Sequence, residues 1–185
     1  MRASVFIATS LDGYIARPDG GLDWLPGEPE EHGYEAFMAS VDALVIGRKT
    51  FDTVMGFPDW PYGSKPVFVL SRTLTSARLP EGAVCAFMAG APAEIVAALE
   101  ARGFRHAYVD GGATITGFLE AGLIQRMVIT RIPVLLGAGI PLFGALGRDL
   151  RWIHEGTSTF PSGLVQSAYR LAEGPAGGPE PGPRA

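Results

Sequence analysis

Three apolar runs in this chain stop on small residues and pass at once into polar turns. That pattern constrains the fold more than any other feature. The segments are DALVIGRKTFD (42–52), VFVLSRT (67–73) and YVDGGATI (108–115). Apolar runs of this length, bounded by turn signals, read as strands buried on both faces. Helical patterns lie between them. Residues 28–40 place acidic residues in a first turn, with Tyr34, Phe37, Met38 and Val41 at helical spacing. A short helix is predicted over 50–55. Pro92 opens another that Gly103 closes, and a fourth runs over 113–121. Strands are predicted at 4–9, 43–46, 66–70 and 106–109, across the β-rich run 126–135, and at 152–155 and 164–171. The last alternates like an exposed antiparallel edge. Strand–helix alternation followed by strands alone predicts an α/β domain with a mainly parallel twisted sheet and antiparallel strands at its end.

The chain has 185 residues, 47% of them hydrophobic, which suits one domain with its own core. That domain is expected over 1–173. Residues 174–185, GPAGGPEPGPRA, are Pro/Gly-rich without period and read as a disordered tail. Cys85 is the single cysteine, so no internal disulfide and no Cys-rich zinc site is available. The three histidines are scattered, and no metal site is expected. No apolar run approaches the roughly 20 residues of a membrane span. The reading is of a cytoplasmic protein. A net charge of −4 argues against general nucleic-acid binding but leaves a small anionic ligand open.

The strand ends carry the chemistry. Gly47 ends a buried run, and Arg48, Lys49 and Thr50 follow where a helix begins. Free N–H groups at a helix start bind phosphate, and glycine lets a ligand approach the backbone. An ordinary capped surface turn fits the same residues. Ser71 and Arg72 follow the second run. An arginine there would fork onto a phosphate such as the 2′-phosphate of NADPH, or would simply be solvated. Gly111 and Gly112 lead into a helix whose start would take a pyrophosphate, although a tight turn also needs glycine. In an open parallel sheet these ends converge where a dinucleotide sits.

In these residues the chain resembles the dihydrofolate-reductase-like superfamily. It is most similar to the branch containing the reductase domain of the bifunctional riboflavin-biosynthesis deaminase-reductase. The matching stretches are Ser10-Leu11-Asp12-Gly13 with Ile15-Ala16, Ile46 to Phe51, Leu70-Ser71-Arg72, Val109 to Ala113, and Leu136 to Phe143, in that order over about residues 2–172. The resemblance implies a three-layer fold with helices on both faces of the sheet. It implies that Gly47, Arg48, Lys49 and Thr50 hold the cofactor phosphates and that Ser71 and Arg72 contact the 2′-phosphate, favouring NADPH. Gly111, Gly112, Ala113 and Thr114 would lie under the pyrophosphate and nicotinamide, with Ala8 and Ile15 flanking the ring. The branch often forms homodimers through late strands, here 129–136 and 164–171, runs that would equally serve as core.

The resemblance also marks departures. Dihydrofolate reductases carry an acidic residue in the first helix, where Glu31 is the candidate by position; an N-terminal helix residue favoured by the dipole is the plainer account. The riboflavin branch usually has lysine after SLDG, where this chain has Tyr14. Asp110 matches an acidic position before the paired glycines. It is a candidate proton donor, its alternative being a turn-forming aspartate. Asp12, Trp24 and Phe51 are candidates for the substrate side. Asp12 would otherwise make an Asx turn, and the two aromatics would otherwise close the core. The expected activity is hydride transfer from NADPH to a small heterocyclic or carbonyl substrate. The alternative is a non-catalytic NADPH-binding module.

Overall fold

The computed structural model describes residues 1–27 and 31–172. The proposed tail at 174–185 lies outside the described residues. Among the described residues, ten strands and four helices follow in the order β1 (Arg2–Thr9), β2 (Tyr14–Ala16), α1 (Tyr34–Ser40), β3 (Ala43–Gly47), α2 (Arg48–Val54), β4 (Pro66–Leu70), β5 (Val84–Met88), α3 (Pro92–Ala101), β6 (His106–Asp110), α4 (Gly112–Glu120), β7 (Arg126–Arg131), β8 (Ile140–Pro141), β9 (Trp152–Thr159) and β10 (Val165–Leu171).

Eight strands form one sheet in the order β5-β4-β3-β6-β1-β7-β10-β9. All neighbours from β5 to β7 are parallel, and β7-β10-β9 is antiparallel. The predicted mainly parallel sheet with an antiparallel end is thus present.

Period-two alternation divides the core into two layers. Ala3, Val5, Ala43, Val45, Ala107 and Val109 face Ile95 and Leu99 of α3 and Ile115 and Phe118 of α4. Phe6, Leu44, Ile46, Val67, Val69 and Tyr108 face the opposite way. They meet Phe51 and Val54 of α2, with Tyr34, Phe37 and Met38 of α1 packed against them. Strands buried on both faces read as unbroken apolar runs, which is why they stood out in the sequence.

Several boundaries differ from the sequence-based ones. The first helix begins at Tyr34, after Gly33 in the left-handed conformation at φ 84°, so Glu31 precedes the helix. The run 126–135 leaves the sheet after Arg131, two residues before Pro133, which has no N–H to donate. Three strands were not foreseen. β2 and β8 pair only with each other and are too short to show a period. β5 is an edge strand, and none of its residues is fully buried.

Candidate functional site

Register places the ends of β3 and β6 side by side, with Ile46 opposite Asp110. From there the chain diverges. α2 packs on one face of the sheet, whereas α4 packs on the other. Such a divergence leaves a crevice at the C-terminal ends of the strands, where open α/β sheets bind ligands. A cavity of about 1140 Å³ opens at this point. That exceeds the roughly 300–1,000 Å³ usual for one small-molecule site.

The two turns flanking the crevice interlock. A Cβ on Gly47 would stand 2.7 Å from the Thr114 hydroxyl. A Cβ on Gly111, whose φ is +94°, would meet the Thr50 hydroxyl. Each threonine therefore occupies the space that the opposite glycine leaves. A Cβ on Gly112 would lie 2.8 Å from the Pro141 carbonyl. Ligand approach was the reason anticipated for these glycines, but packing between segments already requires them.

Eleven of the residues singled out from the sequence line the cavity: Ala8, Ile15, Gly47, Arg48, Lys49, Thr50, Asp110, Gly111, Gly112, Ala113 and Thr114. The start of α4 carries no side-chain cap, so its first N–H groups remain free for a ligand. Arg48 bonds Asp52 at 3.2 Å and the Thr73 hydroxyl at 3.3 Å, which draws the β3 and β4 ends together. Ser71 shapes the loop after β4 by accepting from the Thr73 and Leu74 amides. Arg72 follows it, exposed. Neither residue lines the cavity, although Leu70 does.

Four candidates sit elsewhere. Phe51 is 2% exposed and meets Phe87 edge-on at 5.6 Å, so it belongs to the core. Asp12 accepts from the Ser10 hydroxyl and from the Leu136 and Gly137 amides, tying two loops together. Those bonds, the Ser10 one foremost, hold its carboxyl below the usual range. Glu31 is exposed and accepts from the Gly33 amide at 2.7 Å. The Trp24 indole N–H is buried without a partner among the described residues, and its neighbours Leu22 and Leu25 line the cavity instead.

Asp110 lines the cavity at the crevice between β3 and β6. One carboxylate oxygen accepts from the Gly111 amide at 2.8 Å. Burial raises its pKa to about 6, against that bond. Three tyrosines that line the same cavity feel the Asp110 charge: Tyr34, Tyr62 and Tyr108. Burial, reinforced by the Asp110 charge, pushes Tyr34 up to about 12 and raises Tyr62 and Tyr108 as well. All three therefore stay protonated at neutral pH. The Tyr108 hydroxyl donates to the Phe6 carbonyl at 2.7 Å. The Phe6 ring lies 5.6 Å from Tyr34 and 5.0 Å from Phe37. The tyrosines were not identified from the sequence. Alternation along β6 would have put Tyr108 on the face of Asp110, but nothing local marks Tyr62.

A phosphorylated dinucleotide fits this donor set: cationic Arg48 and Lys49, the uncapped start of α4, and an apolar wall at Ala8 and Ile15.

Residues 4–166 match the RibD C-terminal domain family. YwjB of Bacillus subtilis, an uncharacterized protein, is 35% identical over 161 residues, covering 84% of this chain and 90% of YwjB. A crystal structure of a Shewanella sp. PV-4 protein, provisionally named for riboflavin biosynthesis, superposes with a TM-score of 0.84 at 46% identity. The match covers 94% of this chain and all of that one. Dihydrofolate reductase from Enterococcus faecalis, solved in complex with NADP(H) and RAB-propyl, superposes with a TM-score of 0.63. It is 16% identical, over 93% of this chain and 97% of that one. At that identity the likeness is one of fold, and the fold is dihydrofolate-reductase-like.

Proposed function

This chain belongs to the RibD C-terminal domain family, and we propose that it is an NADPH-dependent reductase of a small heterocyclic or carbonyl substrate. The observation that carries this reading is the crevice between β3 and β6. There the uncapped start of α4, the cations at the head of α2 and a carboxyl with a raised pKa face one cavity. When bound, the reduced nicotinamide would supply the hydride. Arg48, Lys49, Thr50 and residues 111–114 would hold the phosphates. Ser71 and Arg72, at the margin, would meet the 2′-phosphate. Ala8 and Ile15 would flank the nicotinamide and keep water from it.

Asp110 would hold the proton delivered to the substrate. A carboxyl with a pKa near 6 is partly protonated at neutral pH and is reprotonated readily from solvent. We further propose that the protein works in the cytoplasm as a homodimer joined through its late strands. β9 is a sheet edge, and Ile153 and Val165 are exposed.

Fluorescence titration tests the cofactor assignment. NADPH should saturate at sub-millimolar concentration and bind more tightly than NADH. Arg72→Ala should erase most of that preference and leave NADH binding unchanged. Absence of saturable NADPH binding overturns the reading. Tight binding without turnover of any pterin, pyrimidine or simple carbonyl would favour a non-catalytic module.

A further inference from the structure

A smaller cavity, of about 310 Å³, lies at the far end of α4. It is lined by Glu120, the last residue of that helix, and by Leu146, Gly147, Arg148 and Leu150. None of these residues lines the crevice between β3 and β6. Leu146 and Leu150 are half-buried and pack against the core, which makes one side of the cavity apolar. Glu120 and Arg148 are exposed. One Arg148 guanidinium nitrogen lies 3.6 Å from where a Cβ on Gly122, just past α4, would stand. Yet the Glu120 and Arg148 side chains form no ion pair or hydrogen bond among the described residues. The last turn of α4 carries no basic residue, so Glu120 adds its charge to the negative end of the helix dipole. An acid and a base that share a cavity without pairing are complementary to a ligand carrying both opposite charges.

The two cavities are built from the same pair of elements. α4 starts at the crevice and ends at the smaller cavity, nine residues or about 13 Å away. The segment 140–150 runs beside it over the same span. Ile140 lines the crevice. The Pro141 and Leu142 carbonyls close on Gly112, where a Cβ would meet them at 2.8 and 3.5 Å. The Gly144 amide donates to the Thr116 hydroxyl at 3.0 Å. Leu142 is buried with Ile115 and Phe118, and residues 146–150 then reach the smaller cavity. A rigid helix and a segment bonded along it are the kind of contiguous path that carries energetic coupling.

We propose that the cavity at the end of α4 is a second ligand site, for a small zwitterion whose ammonium meets Glu120 and whose carboxylate meets Arg148, and that its occupancy tightens cofactor binding in the crevice. A ligand bridging Glu120 and Arg148 ties α4 to the segment 140–150. The same two elements meet at Gly112 and Pro141, beside the residues that would hold the cofactor phosphates. Holding them together in advance lowers what the cofactor must order. The zwitterion site stands independently of the reductase reading, and only the coupling rests on it.

The experiment is calorimetric titration of the full chain with 6-aminohexanoate and L-leucine, with hexanoate and hexylamine as single-charge controls. At least one zwitterion should bind at low-millimolar concentration or tighter, and both controls at least tenfold more weakly. Glu120→Gln and Arg148→Gln should each weaken the zwitterion several-fold. Gly147→Leu should abolish its binding and leave NADP⁺ binding in place. A Cβ on Gly147 meets nothing within 4 Å and its φ lies outside the left-handed region, so that side chain fills the cavity without strain. With the zwitterion saturating, NADP⁺ should bind at least threefold tighter, and saturating NADP⁺ should tighten the zwitterion by the same factor. Failure of both zwitterions, equal binding of a single-charge control, or unchanged binding in Gly147→Leu overturns the site. An unchanged NADP⁺ affinity with the zwitterion bound overturns the coupling. Failure of NADP⁺ alone to bind overturns the reductase reading, and titration of the free chain then still decides the zwitterion site.

Discussion

His106 opens and Asp110 closes the same strand, and burial moves their pKa values in opposite directions. For Asp110 the rise is from the ordinary 3.8 to about 6. Between those values the folded chain keeps a proton that the unfolded chain has released, so stability falls as pH rises through the window and stays lower above it. Full burial would make this roughly 3 kcal/mol, and contact with cavity water lowers it. Asp110→Asn should therefore stabilise the free protein by about 1–2 kcal/mol at pH 7 and remove the fall in stability that Asp110 imposes as pH rises from 3.8 to about 6 in a urea-denaturation profile. If Asp110 is the acid, turnover in the parent should decline as pH rises beyond about 6, and the variant should lose that limb.

His106 behaves in the other sense. Its Nδ1–H donates to the Ser40 carbonyl at 2.9 Å, because that oxygen can only accept; Nε2 then accepts from the Ser4 hydroxyl at 2.8 Å. Burial lowers its pKa below the ordinary 6.5. The unfolded chain takes up the proton first, so stability is lost as pH falls below 6.5. His106→Gln should weaken that acid loss, read as a smaller shift of the urea midpoint between pH 7 and pH 5.

At the scale of elements, the reciprocal contacts between the two turns can be separated by mutation. Gly47 has an ordinary φ of −75°, so its obstacle to a side chain is the Thr114 hydroxyl. Gly47→Ala should cost about 1–3 kcal/mol, and adding Thr114→Ala should recover most of it. Gly111 combines a contact with Thr50 and a φ of +94°. Gly111→Ala with Thr50→Ala should recover only the contact, leaving roughly 1–2 kcal/mol of backbone strain. Equal recovery in both thermal-denaturation cycles would remove the distinction. The glycines were legible in the sequence, as were the strands they end. Their partners were not, because Thr50 and Thr114 lie in other segments. The same holds for Asp12, whose bond to the Leu136 amide spans 124 positions.

At the scale of the whole molecule, the sheet has two open edges, β5 and β9. An unpaired edge invites pairing with another chain. With the proposed dimer, sedimentation velocity at micromolar concentration should show a two-chain species, and Ile153→Lys should shift it to monomer. A monomer alone in the parent rules the dimer out.

The sequence by itself determined the alternation of strands and helices, the parallel character of the central sheet, and the turns that end β3 and β6. These follow from local rules: period two along a strand, unbroken apolar runs where both faces are buried, and glycine at tight exits. Tertiary structure alone decided the rest. It turned Phe51 into the core and spent Asp12 on a loop clamp. It gathered Tyr34 and Tyr62, from two distant segments, beside Tyr108 and Asp110. A carboxyl's surroundings, and so its pKa and its chemistry, are set by what packs beside it across the fold, and no local pattern along the chain encodes that.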